Sequence, residues 1–317
     1  MFTALVALLS GFILLIGGAE FLVRGAVALA EKLHIPSLII GLTIVALGTS
    51  LPELLVSVKA ALQNNAGISV GNVIGSNIAN IFLVLGLSAV IYPISGEKKA
   101  FYRDFTILSI ITLIFIAFCL QKTLYFYNGI ILLTMLIAFM YFNYLQAKKN
   151  PQQEEFSALS KKSWLYVILI TFAGLFAITY GAEFLVKGAV SLAKIFGISE
   201  AVIGATVIAV GTSMPELATS CVAAYRRQND IALGNVIGSN IWNILCIMGV
   251  TSAITDVPIA TQFLRFDLWM MLLATASLFP IMAYNYYISR KEGSVLVAFY
   301  VLYIYGQYLI VSGLWNI

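Results

Sequence analysis

The chain has 317 residues and a formal net charge of +4, with 61% hydrophobic and only 10% charged residues. Soluble domains carry about 25% charged residues, so this composition excludes an ordinary soluble globule. The small net charge and the absence of a basic run interleaved with aromatic residues give no support for a nucleic-acid partner. Apolar runs of membrane-spanning length follow one another along the chain, which predicts an integral membrane protein.

Ten apolar segments predict ten transmembrane helices. They lie at 3–26, 36–62, 71–92, 104–120, 125–146, 163–189, 199–225, 231–254, 266–285 and 293–315. We expect the first segment to be a retained span rather than a secretory signal, because it has no basic leader. Its continuation, GAEFLVRGAVALA at 18–30, also recurs in mid-chain as GAEFLVKGAVSLA at 181–193.

The two halves of the chain repeat each other. A constant offset of 163 residues aligns 18–91 with 181–254 without a gap. Five predicted spans precede the polar segment 147–162 and five follow it, and an odd number of spans makes two alike halves enter the membrane in opposite directions. The sequence therefore predicts an all-α membrane protein built from two inverted-topology five-helix repeats.

The predicted domain boundaries follow from this repeat. The first repeat covers 1–146, a short cytoplasmic linker covers 147–162, and the second repeat covers 163–317. With the N-terminus outside, 13 of the 18 Lys and Arg residues fall in connections on the inside, which is the bias of a multi-pass protein in a plasma (inner) membrane. The other five are Lys59, Lys122, Lys187, Lys194 and Arg265. Both termini are predicted to lie on the outer side.

The motif GTSLPE, at 48–53, places a proline and a carboxylate inside the second predicted span, and it returns as GTSMPE at 211–216. Pro52 has no backbone N–H and crowds the carbonyl one turn before it, so the helix is predicted to break there. Glu53 adds a carboxylate whose insertion costs about 3 kcal/mol near a bilayer centre. Two such residues at equivalent positions indicate a functional site.

A set of residues around each motif recurs at intervals of three or four positions, which is the spacing of one helix face. In the first half they are Ala46, Thr49, Glu53 and Ser57, followed in the next span by Ser76 and Asn80. In the second half they are Ala209, Thr212, Glu216 and Ser220, followed by Ser239 and Asn243. The predicted site therefore combines two carboxylates with hydroxyl, amide and carbonyl oxygens.

Hard oxygen donors of this kind suit Ca²⁺ or Na⁺ and argue against zinc or copper. The alternative is that the Gly, Ser and Thr residues only pack helices together, a role that needs no ionised group. The cysteines and the histidine are interpreted as packing and loop residues, not metal ligands; they are Cys119, Cys221, Cys246 and His34.

Two further acidic residues, Glu20 and Glu183, are interpreted as the only others with a claim to membrane depth. Each has a basic residue four positions later, Arg24 or Lys187. This spacing predicts helical ion pairs near a membrane edge.

The paired blocks GTSLPE…GNVIGSNIAN and GTSMPE…GNVIGSNIWN resemble the α-repeats of the sodium/calcium exchanger family, in the cation/calcium antiporter superfamily, here as motifs 39–91 and 202–254. The resemblance implies ten helices, no enzymatic activity, and Na⁺/Ca²⁺ exchange by alternating access, with the first and sixth helices sliding against the rest. It also implies one cluster of ion ligands: Ala46 (carbonyl), Thr49, Ser50, Glu53, Ser76, Asn80, Ala209 (carbonyl), Thr212, Ser213, Glu216, Ser239 and Asn243.

Na⁺ and Ca²⁺ are thus the expected transported ions, protons the expected competitors and the lipid bilayer the expected surroundings, with no organic cofactor. Some family members carry aspartate at one of the positions of Asn80 and Asn243, whereas here only Glu53 and Glu216 bring formal charge. An H⁺/Ca²⁺ antiporter and a K⁺-dependent Na⁺/Ca²⁺ antiporter stay open as alternatives. A passive cation channel is a more remote one.

Overall fold

The computed structural model describes residues 1–149, 157–195, 211–311 and 314. This part of the chain is helical apart from two short strand pairs. The helices are α1 Phe2–Leu33, α2 Ser37–Thr49, α3 Leu51–Leu62, α4 Ala66–Ile91, α5 Lys98–Cys119, α6 Phe126–Lys149, α7 Trp164–Ile195, α8 Met214–Tyr225, α9 Asn229–Ile254, α10 Leu268–Asn285 and α11 Arg290–Val311. The strands are β1 Ile94–Ser95, β2 Thr123–Leu124, β3 Val257–Pro258 and β4 Tyr287–Ile288.

Eight of the described helices are long and apolar enough to cross a membrane, and the bent pair α2–α3 gives a ninth candidate. The candidate span that contains α10 begins at the π-helical turn Phe263–Asp267 and runs to Pro280. The span predicted at 199–225 lies partly outside the described residues, and α8 is its described part. The protein is therefore an all-helical, multi-pass membrane protein.

α4 and α9 form the centre of the described bundle. Of their most apolar windows, 72% and 94% are buried by the rest of the protein, whereas the figure for α6 is 17%. Lipid can satisfy the exposed apolar faces of outer helices such as α6. The two GNVIGSN motifs lie on these central helices.

α1 and α7 form the most extensive helix pair among the described elements, and they run antiparallel. Gly11 meets Gly181 and Leu185, while Gly174 meets Gly18 and Leu22. A Cβ on Gly18 would lie only 2.7 Å from the backbone nitrogen of Ile178, so these glycines allow the backbones to approach closely. The pair joins the two segments that carry GAEFLVRG and GAEFLVKG.

Other contacts between the two halves occur in matching pairs, in which each contact recurs between the corresponding segments. Gly129 of α6 meets Gly249 of α9, and Gly293 of α11 meets Gly86 of α4. The strands repeat the pattern: β1 pairs antiparallel with β4, and β2 pairs antiparallel with β3. Each contact thus has a partner formed by the corresponding segments of the other half.

Candidate cation-binding site

The helical structure is interrupted at both GTS(L/M)PE motifs. α2 and α3 meet at an angle of 45°, and the residue between them, Ser50, has φ −86° and ψ 3°. Ser213, which precedes α8, has nearly the same backbone angles, φ −86° and ψ 6°. Proline is the second residue of each following helix, where its missing N–H costs nothing. The breaks place Glu53 and Glu216 in the first turns of α3 and α8, where the helix dipole favours negative charge.

The two carboxylates meet in the interior. Glu53 and Glu216 are each 1% exposed, and they repel each other electrostatically. The Ser50 hydroxyl donates a hydrogen bond to Glu216 Oε1 at 3.1 Å, so one half of the chain directly contacts the carboxylate of the other. Within the described residues, no Lys or Arg forms an ion pair with either glutamate. A pair of buried carboxylates without a cationic side chain is costly unless a cation or proton joins it.

Several buried oxygens around the two glutamates have no hydrogen-bond partner among the described residues. They are Glu53 Oε1 and Oε2, Glu216 Oε2, Ser76 Oγ, Asn80 Oδ1, Ser213 Oγ and Asn243 Oδ1. An unpartnered buried polar atom costs about 1–3 kcal/mol. A hard cation would satisfy many such oxygens at once, and Ca²⁺ takes six to eight of them. The donor set therefore fits Ca²⁺ or Na⁺ as a transported substrate.

The two asparagines of the predicted set, Asn80 and Asn243, each lie at the start of a π-helical turn at the centre of the bundle. Asn80 begins a π-helical turn within α4 at Asn80–Leu85, and Asn243 begins one within α9 at Asn243–Met248. Such turns widen a helix locally and are frequent at functional sites. Asn243 Nδ2 donates to Asn77 Oδ1 at 3.3 Å, which fixes one amide to the opposite half.

The remaining predicted residues lie as follows. Thr49 Oγ1 lies 3.3 Å from the Ala46 carbonyl oxygen and 3.5 Å from Ser239 Oγ, so these three residues meet. Thr212 is half-buried. Ala209 lies outside the described residues.

Two asparagines that the sequence analysis did not select, Asn72 and Asn235, support the site. Asn72 Nδ2 donates to the Glu53 carbonyl at 3.1 Å and to Ser57 Oγ at 2.9 Å. Asn235 Nδ2 donates to the Glu216 carbonyl at 3.3 Å and to Ser220 Oγ at 2.9 Å, while its Oδ1 accepts from Thr49 at 3.2 Å.

The sequence did carry a signal for these asparagines. Asn72 lies four residues before Ser76 and eight before Asn80, so it continues the same helix face, and Asn235 stands in the same relation to Ser239 and Asn243.

The predicted ion pairs at Glu20 and Glu183 are confirmed. Glu20 pairs with Arg24, and Glu183 Oε1 lies 2.5 Å from Lys187 Nζ. Glu20 also accepts two hydrogen bonds from Arg226, at 2.9 and 2.6 Å, which join α1 to the end of α8.

Two further acidic residues that the sequence analysis did not select are buried. Asp104 and Asp267 are 1% and 2% exposed, and they are separated by the repeat offset. Asp104 directly follows Arg103 and Asp267 lies two residues after Arg265, so in the sequence both resemble the polar ends of spans. Packing by neighbouring helices buries them nevertheless.

A family model for sodium/calcium exchanger proteins matches residues 3–145 and 166–309. The chain belongs to the sodium/calcium exchanger family. It is 36% identical to a putative antiporter of Alkalimonas amylolytica, over 98% of this chain and all of the relative. It is 32% identical to a sodium/calcium exchanger of Methanosarcina acetivorans, over 94% of this chain and 96% of the relative.

Solved structures of the sodium-calcium exchanger NCX_Mj share this fold. One, soaked with Na⁺ and Sr²⁺, has a TM-score of 0.84 and 32% identity, and the match covers 96% of this chain and 98% of NCX_Mj. This is a family of transporters rather than of catalytic enzymes, so membership supports a cation/calcium antiporter. The expected family is thereby confirmed.

Proposed function

We propose that this protein exchanges Na⁺ for Ca²⁺ across a membrane by alternating access. The observation that carries the proposal is the meeting of Glu53 and Glu216, one from each half, at 1% exposure and beside unpartnered oxygens. In the proposed cycle α1 and α7 slide together against the rest of the bundle, and their close glycine-lined contact with each other holds the two helices as one moving unit.

Charge balance makes the ion occupancy exclusive. Two carboxylates offset one Ca²⁺ or two Na⁺, but not both loads together. Two like unit charges 4 Å apart repel by about 4 kcal/mol even at an effective dielectric constant of 20. Without a cation the two glutamates would stand buried and uncompensated, which disfavours movement of the site and so suppresses leak. Exchange rather than uniport follows from these two penalties.

A further Na⁺ bound only by neutral oxygens would make the cycle electrogenic. Ser76, Asn80 and Asn243 supply unpartnered oxygens for such an ion. Each net charge moved would respond to voltage by about 2.3 kcal/mol per 100 mV. Transport would then accelerate or slow with membrane potential.

The ligand set of the proposed site is the one expected from the family motifs. It comprises Ala46, Thr49, Ser50, Glu53, Ser76, Asn80, Ala209, Thr212, Ser213, Glu216, Ser239 and Asn243. Asn72 and Asn235 act behind it as positioning residues, because they hold the backbone of each glutamate.

The proposed architecture has ten helices in two inverted repeats, 1–146 and 163–317, with the linker 147–162 in the cytoplasm. Reciprocal contacts support it, such as Gly11 with Gly181 and Gly18 with Gly174 in antiparallel α1 and α7. The loop charges favour a plasma (inner) membrane location with both termini outside.

Calcium uptake into sodium-loaded proteoliposomes tests the function. Imposed outward Na⁺, K⁺ or H⁺ gradients should be compared in turn, with an ion-free interior as the control for a passive channel. We expect the Na⁺ gradient to drive uptake and Glu53→Gln to abolish it, because one of two balancing charges is lost. Glu183→Gln, which removes an exposed carboxylate, is the matched control and should transport normally. Near-normal uptake by Glu53→Gln would remove the site assignment.

A further inference from the structure

A second buried carboxylate lies outside the candidate cation site. Asp267 ends the π-helical turn before α10 and is 2% exposed. The Tyr303 hydroxyl of α11 donates to Asp267 Oδ1 at 2.9 Å, and the Gln307 amide donates to the same oxygen. Asp267 Oδ2 is buried and has no hydrogen-bond partner in the part of the chain that the structure describes. Oδ1 thus accepts two hydrogen bonds from neutral donors, whereas Oδ2 accepts none from the described residues.

The corresponding residue of the first half, Asp104, is neutralised differently. Arg103 donates to both of its oxygens, at 2.6 and 2.8 Å. The residue at the equivalent position before Asp267 is Phe266, whose ring stacks on Tyr303 with centroids 6.0 Å apart. The second half has therefore kept the buried carboxylate but replaced its cation with an aromatic ring.

The helices around Asp267 offer no replacement cation within the described residues. Arg265 is exposed and two residues away, which is more than half a helical turn around the axis. α4, which packs against this turn through Gly71 and Phe263, contains no ionisable residue. The ionisable group that faces Asp267 from α11 is Tyr303, and Tyr300 lies beside Tyr303.

The remaining neighbours of α10 carry their charges elsewhere. α5 runs antiparallel to α10, because Tyr102 meets Tyr286 and Phe105 meets Phe279. Its lysines and the Arg103–Asp104 pair therefore lie at the far end, as does β4 with Tyr287. At the near end α5 offers the buried thiol of Cys119, followed by Lys122, which is exposed.

We propose that Asp267 is a proton-binding site, with Oδ2 as the oxygen that is protonated. A proton from water adds to Oδ2, and the carboxylate charge of −1 becomes zero. A metal ion is the poorer occupant, because even Ca²⁺ or Mg²⁺ needs six or more oxygen ligands, and this cluster supplies a carboxylate, a phenol and an amide. Protonation needs only the one bare oxygen and removes the cost of burying an unpaired charge.

The proposed proton site is connected to the centre of the protein by side-chain contacts of α10. Met271 lies one turn after Asp267, and its sulfur accepts a hydrogen bond from Asn77 Nδ2 at 3.7 Å. Asn77 Oδ1 in turn accepts from Asn243, a residue of the candidate cation site. The equivalent positions in the first half are Leu108 and Asn240, and Leu108 offers no sulfur. This chain of contacts gives protonation of Asp267 a route to the ion ligands.

Infrared difference spectroscopy on the full-length protein, with ¹³C-carboxyl-labelled aspartate, tests the proposal directly. Spectra from alkaline and mildly acidic buffer are subtracted, and the label separates aspartates from Glu53 and Glu216. We expect a labelled carboxylic-acid C=O band that is lost in Asp267→Asn and retained in Asp104→Asn. A band that persists in Asp267→Asn, or no labelled band in the unmodified protein, would overturn the proposal.

A milder variant keeps the test decisive if Asp267→Asn does not fold. Tyr303→Phe removes one hydrogen bond from Oδ1, which is the C=O oxygen when Oδ2 carries the proton. The labelled band should move to higher frequency, and an unchanged band would contradict the assignment. Neither measurement depends on transport, so failure here would leave the proposed exchange function standing.

Discussion

Asn235→Leu tests whether a residue that is not itself a proposed ion ligand stabilises the candidate cation site through its hydrogen bonds. Asn235 is fully buried and makes three hydrogen bonds, to the Glu216 carbonyl, to Ser220 and from Thr49. Leucine has the same branched shape but cannot hydrogen-bond, so each of the three partners loses one bond. At about 1 kcal/mol for each neutral hydrogen bond, the folded state should lose about 3 kcal/mol.

Part of this loss should appear in cation affinity. Without Asn235 the Thr49 hydroxyl keeps its contacts with the Ala46 carbonyl and Ser239 but loses one partner, so it is held less firmly. Re-ordering it on binding would cost about 1 kcal/mol, or about fivefold in Ca²⁺ affinity. Thermal unfolding in detergent measures the first effect and calorimetric Ca²⁺ titration the second. The double variant with Thr49→Val should show a coupling of about 1 kcal/mol with Asn235→Leu, because the two side chains share one bond.

Asn72→Leu is the matched control. Asn72 is half-buried and makes two such bonds among the described residues, to the Glu53 carbonyl and to Ser57. It should therefore destabilise the protein less than Asn235→Leu and show no coupling with Thr49→Val. An equal or larger effect of Asn72→Leu, or unchanged stability of Asn235→Leu, would refute the hydrogen-bond reasoning.

Two further predictions concern the contact between α1 and α7 and the effect of acid. Gly18→Val should lower the thermal stability and block transport, because its Cβ would lie 2.7 Å from the Ile178 nitrogen; Gly17→Val, with no atom within 4 Å of its Cβ, should be tolerated, and the reverse order would count against close packing of α1 on α7. Calcium uptake should fall as buffer is acidified, since protons compete with cations for the carboxylates of Glu53 and Glu216; a rate unchanged by mild acid would contradict this.

The break at Ser50 could be predicted from sequence because its cause is local. Pro52 removes a hydrogen bond from its own helix whatever surrounds it. The recurrence of the motif at a constant offset then predicted a second break at Ser213. Both follow from the chain itself, without knowledge of how the helices pack.

The supporting role of Asn72 and Asn235 depends instead on packing between helices. Each amide reaches the backbone of a glutamate 19 residues earlier, across the α3–α4 or α8–α9 contact. Spacing alone places Asn72 on a face but does not say which backbone that face meets. The burial of Asp104 and Asp267 was missed for the same reason, since neighbouring helices bury them.

The end of α1 shows how a long-range contact changes a helix boundary. The first span was predicted to end at 26, before the charged residues Glu31 and Lys32. α1 instead continues to Leu33. Glu31 is 8% exposed and accepts hydrogen bonds from the Ser157 backbone and hydroxyl at 2.9 and 2.6 Å, so residues just after the undescribed part of the linker satisfy its charge.

The two halves are not equivalent at the ends of their sliding helices, and this bears on the proposed cycle. Glu20 of α1 forms an ion pair with Arg226, just after α8. The residue at the position equivalent to Arg226 is Gln63, so among the described residues Glu183 of α7 pairs with Lys187 alone. Movement of α1 must break the Glu20–Arg226 pair. Exposed ion pairs contribute at most about 1 kcal/mol, so this pair can bias the two access states by no more than about fivefold. Such a bias changes how often each access state is occupied, whereas the ion gradients set the direction of the proposed net transport.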